Sequence, residues 1–164
     1  MAVILMVCAA MMSFSAPNTG ADPVTATITA SNFVLRTPCR VADTRDPGNV
    51  WLAGPMTPGP RFHVAVRGRP APGASQAGDV GCGIPSSATA VLVNIISMDS
   101  FADGYLTVGP YSDMPDTKVL NFTAGQTSNV QTWVVLDPVG SGHDMGFETS
   151  ATSEFVVDII GYVN

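Results

Sequence analysis

Three aromatic side chains are the residues of this sequence best suited to bind a ligand. Trp133 and Tyr105 fall on the outer faces of predicted strands, and Trp51 lies in a loop rich in Pro and Gly. Exposed aromatic rings stack on sugar rings or pack against a protein partner. Ordinary packing beneath a loop is the alternative for each ring. The sequence therefore predicts a surface glycan or a protein as the partner of these residues.

Groups that could perform catalysis are few. A Ser and a His in residues 140–143 (GSGH) are too close in sequence to form a triad without an independent acid, and no GxSxG, phosphate-loop or dinucleotide motif is present. Glu148 and Glu154 are the candidate carboxylate pair of a glycosidase, but both lie in or beside polar turns. We therefore expect a protein that is not an enzyme and uses no cofactor, and an exported hydrolase is the least favoured class.

Metal ligands do not form a known motif in the sequence. The acidic loop residues could hold calcium, although their spacing does not match an EF-hand loop. Neither histidine lies near a cysteine, and no CxxC pair exists, so zinc is disfavoured. We predict no metal site. The residues concerned are Asp99, Asp103, Asp113 and Asp116 for calcium, and His63 and His143 for zinc.

The cysteines indicate a disulfide. Removal of a leader would take away Cys8 and leave Cys39 and Cys82, an even pair that is typical of an oxidising compartment. Closing a loop of roughly 44 residues would stabilise the fold by about 4 kcal/mol in the chain-entropy model. A reactive thiol or a metal ligand is the competing interpretation. We predict that Cys39 and Cys82 are bridged.

The leader is the apolar stretch at residues 1–16, which is too short to span a bilayer as a permanent helix. It predicts a secretory signal over residues 1–21, with no Lys or Arg before it and an ill-defined cleavage site. A misassigned start codon, a lipidated Cys8 and a buried first element of the domain remain alternatives. We expect residues 22–31 to be a linker or a first edge strand, residues 32–164 to be the domain, and no membrane span after removal of the signal.

Composition favours a single all-β domain. The chain has 164 residues, of which 12% are charged and 46% apolar, with 16 Gly and 13 Pro. This mixture is typical neither of a disordered polyampholyte nor of a helical bundle. A formal net charge of −6 opposes the counterion exchange that binding to nucleic acid requires, so no nucleic-acid partner is expected.

Apolar residues recur with period two in short runs bounded by turn residues, which predicts about seven to nine strands. With no room for crossover helices, the strands should pair antiparallel in a β-sandwich, Ig-like or jelly-roll-like. Residues 88–98 should form a central strand covered on both sides, and residues 118–122 and 129–136 should be joined as a hairpin. Unpaired strand edges would also permit self-association into an extracellular assembly.

Alternation assigns faces to particular residues. In residues 62–67, Phe62, Val64 and Val66 should point to the core, while His63 and Arg67 should face water. Asn94 interrupts the apolar run at residues 88–98, and we expect it to be a core amide satisfied by a neighbouring backbone or bulge, with a ligand-binding role as the less favoured alternative.

Charge is divided unevenly along the chain. Residues 22–69 carry six arginines against three acids, and residues 70–164 carry one lysine against ten acids, so the two halves should attract. Asp158 lies in an apolar strand near the end of the chain and would be costly to bury alone. We expect Arg40 or Arg45 to pair with Asp158 and to join the first strand to the last.

Five landmarks in order give the sequence a family resemblance: residues 33–45 (FVLRTPCRVADTR), 82–85 (CGIP), 104–107 (GYLT), 120–122 (LNF) and 157–162 (VDIIGY). Together they resemble a family of β repeat or accessory domains in secreted bacterial proteins, whose function is not established. The resemblance implies a non-catalytic module outside the cell or on the cell surface of a bacterium. Surface attachment with glycan or protein binding is the favoured function, and a self-associating structural subunit is the alternative.

Overall fold

The computed structural model of the chain describes residues 33–46, 54–68 and 82–164, and this part contains eight strands and no helix. The strands form two antiparallel sheets of four, which confirms the predicted β-sandwich. The predicted leader, the linker at residues 22–31 and Trp51 lie outside the described residues. The strands are β1 (Phe33–Asp43), β2 (Phe62–Val64), β3 (Ala90–Met98), β4 (Gly104–Gly109), β5 (Lys118–Phe122), β6 (Ser128–Val135), β7 (Met145–Thr149) and β8 (Glu154–Val163).

The order of the strands is that of a jelly roll. The first sheet has the order β1-β8-β3-β6 and the second the order β2-β7-β4-β5, so the chain passes repeatedly between the two layers. The predicted hairpin between residues 118–122 and 129–136 is wrong, because β5 is an edge strand of the second sheet and β6 an edge strand of the first. The short connection between them crosses from one sheet to the other.

The core lies between the sheets and is built by alternation along each strand. In β3, Val91, Val93 and Ile95 are fully buried, whereas the residues between them are half-buried on the other face. The strand is therefore central but has one face in the core and one on the outer surface, which corrects the expectation of cover on both sides. From the two sheets, Phe122 and Phe155 meet edge to face with ring centroids 5.7 Å apart.

The first and last strands pair with each other, and a disulfide secures the first one. β1 runs antiparallel to β8, with a register shift between Leu35 and Cys39 and another between Arg40 and Ala42. Cys39 on this edge strand is bonded to Cys82, and their Cα atoms are 5.7 Å apart. The bridge fixes β1, an edge strand with irregular pairing, to the segment that leads into β3.

The side chain of Arg67 is largely removed from solvent, contrary to the expectation that it faces water. Strand β2 ends at Val64, so strand alternation does not extend to Arg67. Its side chain is 7% exposed and its Nε donates to Asp144 Oδ1 at 2.7 Å. Asp144 Oδ2 in turn accepts the backbone N–H groups of Val66 and Arg67 at 2.6 and 2.9 Å. A buried charge is tolerated only with such partners, and this pair ties the β2 region to the segment before β7.

Candidate functional site

The outer face of the first sheet carries an exposed aromatic pair. Phe33 on β1 and Trp133 on β6 are each 47% exposed, and their rings meet edge to face with centroids 5.2 Å apart. Leu35 and Val135 on the same two strands are also exposed, at 70% and 60%. We call this surface the Trp133 face. It comprises Phe33, Leu35, Trp133 and Val135, and also the neighbouring polar residues Arg40, Asp158, Asn94 and Gln131.

Gly161 explains how Phe33 reaches Trp133 across the sheet. β1 and β6 are the two edge strands, with β8 and β3 between them. A Cβ atom at Gly161 on β8 would lie 2.8 Å from Phe33 Cε2 and 3.0 Å from the carbonyl oxygen of Val34. Because glycine has no side chain there, the Phe33 ring has room over β8 and comes within 5.2 Å of the Trp133 ring.

A row of polar side chains crosses the same face next to the aromatic pair. In the strand register, Arg40 on β1 is opposite Asp158 on β8, Asp158 is opposite Asn94 on β3, and Asn94 is opposite Gln131 on β6. Residues that pair in register on one face of a sheet are close neighbours. Aromatic rings and hydrogen-bonding groups therefore lie side by side on one open surface.

Two arginines on β1 and the adjoining turn are held by carboxylates. Arg40 donates from Nε to Asp158 Oδ1 at 2.9 Å and from Nη1 to Asp43 Oδ2 at 3.0 Å, and its pKa is raised, first by the hydrogen bond to Asp158. Arg45 donates to Asp43 at 2.8 and 2.9 Å, and this hydrogen bonding lowers the pKa of Asp43. Arg40 therefore joins the first and last strands, whereas Arg45 pairs with Asp43 and not with Asp158.

Tyr105 lies on the opposite side of the molecule. It belongs to β4 of the second sheet, is 38% exposed and points away from the core, with Lys118 Nζ 5.0 Å from its ring centroid. Together with Thr107, Pro115 and Glu148 these residues line a shallow pocket of about 160 Å³. Tyr105 and Trp133 therefore do not form one site, and Trp51 lies outside the described residues.

The outer face of the second sheet is covered around Gly109 and Gly146 by residues 110–115, which we call the strap. Gly109 on β4 and Gly146 on β7 pair in register, and a Cβ at Gly109 would lie 2.2 Å from Pro115 Cδ. A Cβ at Gly146 would lie 2.9 Å from Met114 Sδ and 3.0 Å from Tyr111 Cα. The strap needs both glycines to pack this closely, and Tyr105 and Lys118 remain exposed beside it.

The two histidines meet beneath the strap. Their ring centroids are 4.2 Å apart, and the ring of Tyr111 lies 5.1 Å from His63 and 4.4 Å from His143. Burial and, secondarily, the charge of His143 lower the pKa of His63. Arg61 joins the strap to β7: it donates to the carbonyl of Tyr111 at 2.7 Å and to Glu148 on β7 at 2.6 Å.

The other candidate ligands and catalytic residues do not assemble into a site in the described ranges. Glu148 on β7 is bound by Arg61, while Glu154 at the start of β8 accepts a hydrogen bond from Thr44, so the two carboxylates lie in different sheets with different partners. Across residues 33–46, 54–68 and 82–164, no three His, Cys, Asp or Glu side chains are grouped so that they could hold a metal ion. The acidic residues considered for calcium are thus not gathered into a site in this part of the chain.

Asn94 and Phe33 are the residues that sequence reasoning misjudged or missed. Asn94 is half-buried on the outer face, and its side chain makes no hydrogen bond within the described residues, so the satisfied core amide was the wrong expectation. The sequence patterns marked Phe33 only as part of the motif at residues 33–45, not as a binding residue. The signal was its position two residues before Leu35, on the same face of β1, but only the sheet order brings it to Trp133.

Comparisons with protein-family models, with curated proteins and with solved structures found no match for this chain. In the described part of the chain, no helical segment has the length and hydropathy needed to cross a membrane. The assignment of function therefore depends on the geometry of the two outer faces.

Proposed function

We propose that the protein is a secreted, non-catalytic β-sandwich module that binds glycans through the Trp133 face and so serves in attachment to a cell surface. The observation that carries the proposal is the exposed Phe33–Trp133 pair beside the polar row. Aromatic rings bind the apolar faces of sugar rings, and neighbouring polar groups bind the hydroxyls at their edges. The relationship to bacterial secreted β modules, suggested by the sequence motifs, is part of the same proposal.

The fold and the disulfide support this function without deciding it. Lectin domains are among the proteins that use jelly rolls, although a fold by itself does not determine function. The Cys39–Cys82 bridge is typical of proteins that fold in an oxidising compartment, as secreted proteins do.

Glycan-array binding and titration with soluble polysaccharides test the proposal. Trp133→Ala should abolish or strongly weaken binding, because it removes the larger ring of the pair. Tyr105→Ala removes an exposed ring from the opposite sheet and should leave binding unchanged. Absence of any glycan binding by the wild-type protein, or loss on Tyr105→Ala but not on Trp133→Ala, would contradict the proposal.

Self-association is the second candidate, and the exposed apolar residues on edge strands favour it. Leu35 on β1 and Val135 on β6 lie on the strands that form the two edges of the first sheet within the described residues, where another copy could add a strand. Concentration-dependent filaments in electron micrographs, lost on Val135→Lys, would support this candidate over glycan binding. A hydrolytic activity lost on Glu148→Gln or Glu154→Gln would overturn both.

A further inference from the structure

We infer that the ligand of the Trp133 face is an uncharged glycan, hydrogen-bonded by the side-chain amides of Asn94 and Gln131. The inference rests on the proposed function and specifies its ligand class and two further binding residues. Three features of the face support it: the two amides have no hydrogen-bond partner within the described residues, they lie close to the aromatic pair, and Arg40 and Arg45 are paired with carboxylates.

The two amides are available for a ligand. Within the described part of the chain, the side chains of Asn94 and Gln131 make no hydrogen bond. Each amide offers a carbonyl oxygen as acceptor and an NH₂ group as donor. Neighbouring sugar hydroxyls can donate and accept together, so an amide can bind two of them at once. Asn94 is half-buried on the outer face and Gln131 is exposed, so both amides are accessible to a ligand.

The amides are close enough to the rings to act on one ligand. Gln131 and Trp133 are two residues apart on the same face of β6, which places their Cα atoms about 7 Å apart along the strand. Asn94 is paired with Gln131 on the next strand, with a Cβ separation of about 5 Å. A short oligosaccharide that stacks on Trp133 would therefore reach both amides.

The charges on the face disfavour an acidic ligand. Arg40 is bound by Asp158 and Asp43, and Arg45 is bound by Asp43, so two cations are balanced by two carboxylates. The whole chain carries a formal net charge of −6, which repels polyanions at long range. An uronic-acid or sulfated chain would find no unbalanced cation among these residues, whereas an uncharged chain needs only the amides and the rings.

The test is a titration of the full chain with two sets of soluble polysaccharides. The uncharged set is laminarin, galactomannan, arabinoxylan and soluble starch, and the acidic set is alginate and polygalacturonate. Asn94→Ala and Gln131→Ala are compared with wild type and with Asn121→Ala, which removes an exposed strand amide in the second sheet. Thermal melts of each variant establish that the fold is intact, and Gln131, exposed on an edge strand, serves as the variant least able to disturb folding.

We expect binding to at least one uncharged polysaccharide and none to the acidic set. Asn94→Ala and Gln131→Ala should each weaken binding about tenfold, the loss that one hydrogen bond of moderate strength supplies, while Asn121→Ala should not. Preference for the acidic set, or unchanged binding in a folded Gln131→Ala variant, would overturn the inference while loss on Trp133→Ala would still uphold the proposed function. Failure of the wild type to bind either set would overturn both.

Discussion

Arg67 and Asp144 are the charged residues whose loss should destabilise the fold most. Their side chains are 7% and 11% exposed, and Arg67 also donates to the carbonyls of Ala88 and Asp137. Asp144→Ala would leave a buried guanidinium without its carboxylate and two backbone N–H groups without their acceptor. We expect the free energy of unfolding to fall by about 3–5 kcal/mol, measured by urea denaturation.

Arg61 and Glu148 provide the matched comparison for that prediction. They form an ion pair on the surface, with side chains 37% and 42% exposed. Glu148→Ala should lower the free energy of unfolding by no more than about 1 kcal/mol. Equal losses for Asp144→Ala and Glu148→Ala would show that burial of Arg67 does not govern the cost.

His63 should make stability depend on pH. Its pKa in the folded protein is lowered from the ordinary value of 6.5 by burial and by His143, so the unfolded chain takes up a proton more readily. The free energy of unfolding should therefore be constant above about pH 6.5 and fall as the pH is lowered below it. Melting temperatures between pH 8 and pH 5 measure the effect.

A variant separates this histidine from other acid-sensitive groups. His63→Phe keeps a ring beneath the strap without a titrating group, and it should flatten the dependence between pH 6.5 and pH 5. The lowered pKa of Asp43 acts only at more acid pH, below its ordinary value of 3.8. An unchanged slope in His63→Phe would refute the assignment to His63.

Among the elements, β1 depends most on a covalent link. Its ladder with β8 is interrupted by two register shifts, and it forms an edge of the first sheet. The double variant Cys39→Ala/Cys82→Ala should lower the free energy of unfolding by about 2–5 kcal/mol, because the unfolded chain regains the entropy of a closed loop. Urea denaturation of the variant, compared with the wild type under oxidising and reducing conditions, measures this loss.

Glycan binding should respond to the same change. Phe33 belongs to β1, so loosening this strand should also weaken binding at the Trp133 face. A double variant as stable as the oxidised wild type would contradict a structural role for the bridge.

The sequence predicts strands well where apolar residues alternate strictly and poorly where pairing is irregular. Phe155, Val157 and Ile159 point to the core as alternation requires, and Gln131 and Trp133 lie together on the outer face. The choice of Arg40 over Arg45 as the partner of Asp158 was not predictable, because it depends on bulges in β1. A short polar connection equally permits a hairpin and a crossing between sheets, and for this reason the link from β5 to β6 was predicted wrongly.

At the scale of the whole molecule, the two outer faces differ in what covers them. The strap lies over the second sheet, fitted against Gly109 and Gly146, and the first sheet presents Phe33 and Trp133 to solvent. Sequence patterns predicted Trp133 as a binding residue, but they could not show that Tyr105 lies on the opposite side or that Phe33 lies beside Trp133. Both facts depend on strand order, which long-range pairing determines.

The position of Lys118 determines where a lysine-directed label attaches to the protein. Lys118 is the single lysine of the sequence, and it lies over Tyr105 on the second sheet. Coupling of this side-chain amine to a biosensor chip or a fluorophore would attach the molecule through its second sheet and leave Phe33 and Trp133 on the opposite side. Lys118 thus offers a side-chain attachment point on the sheet opposite the aromatic pair.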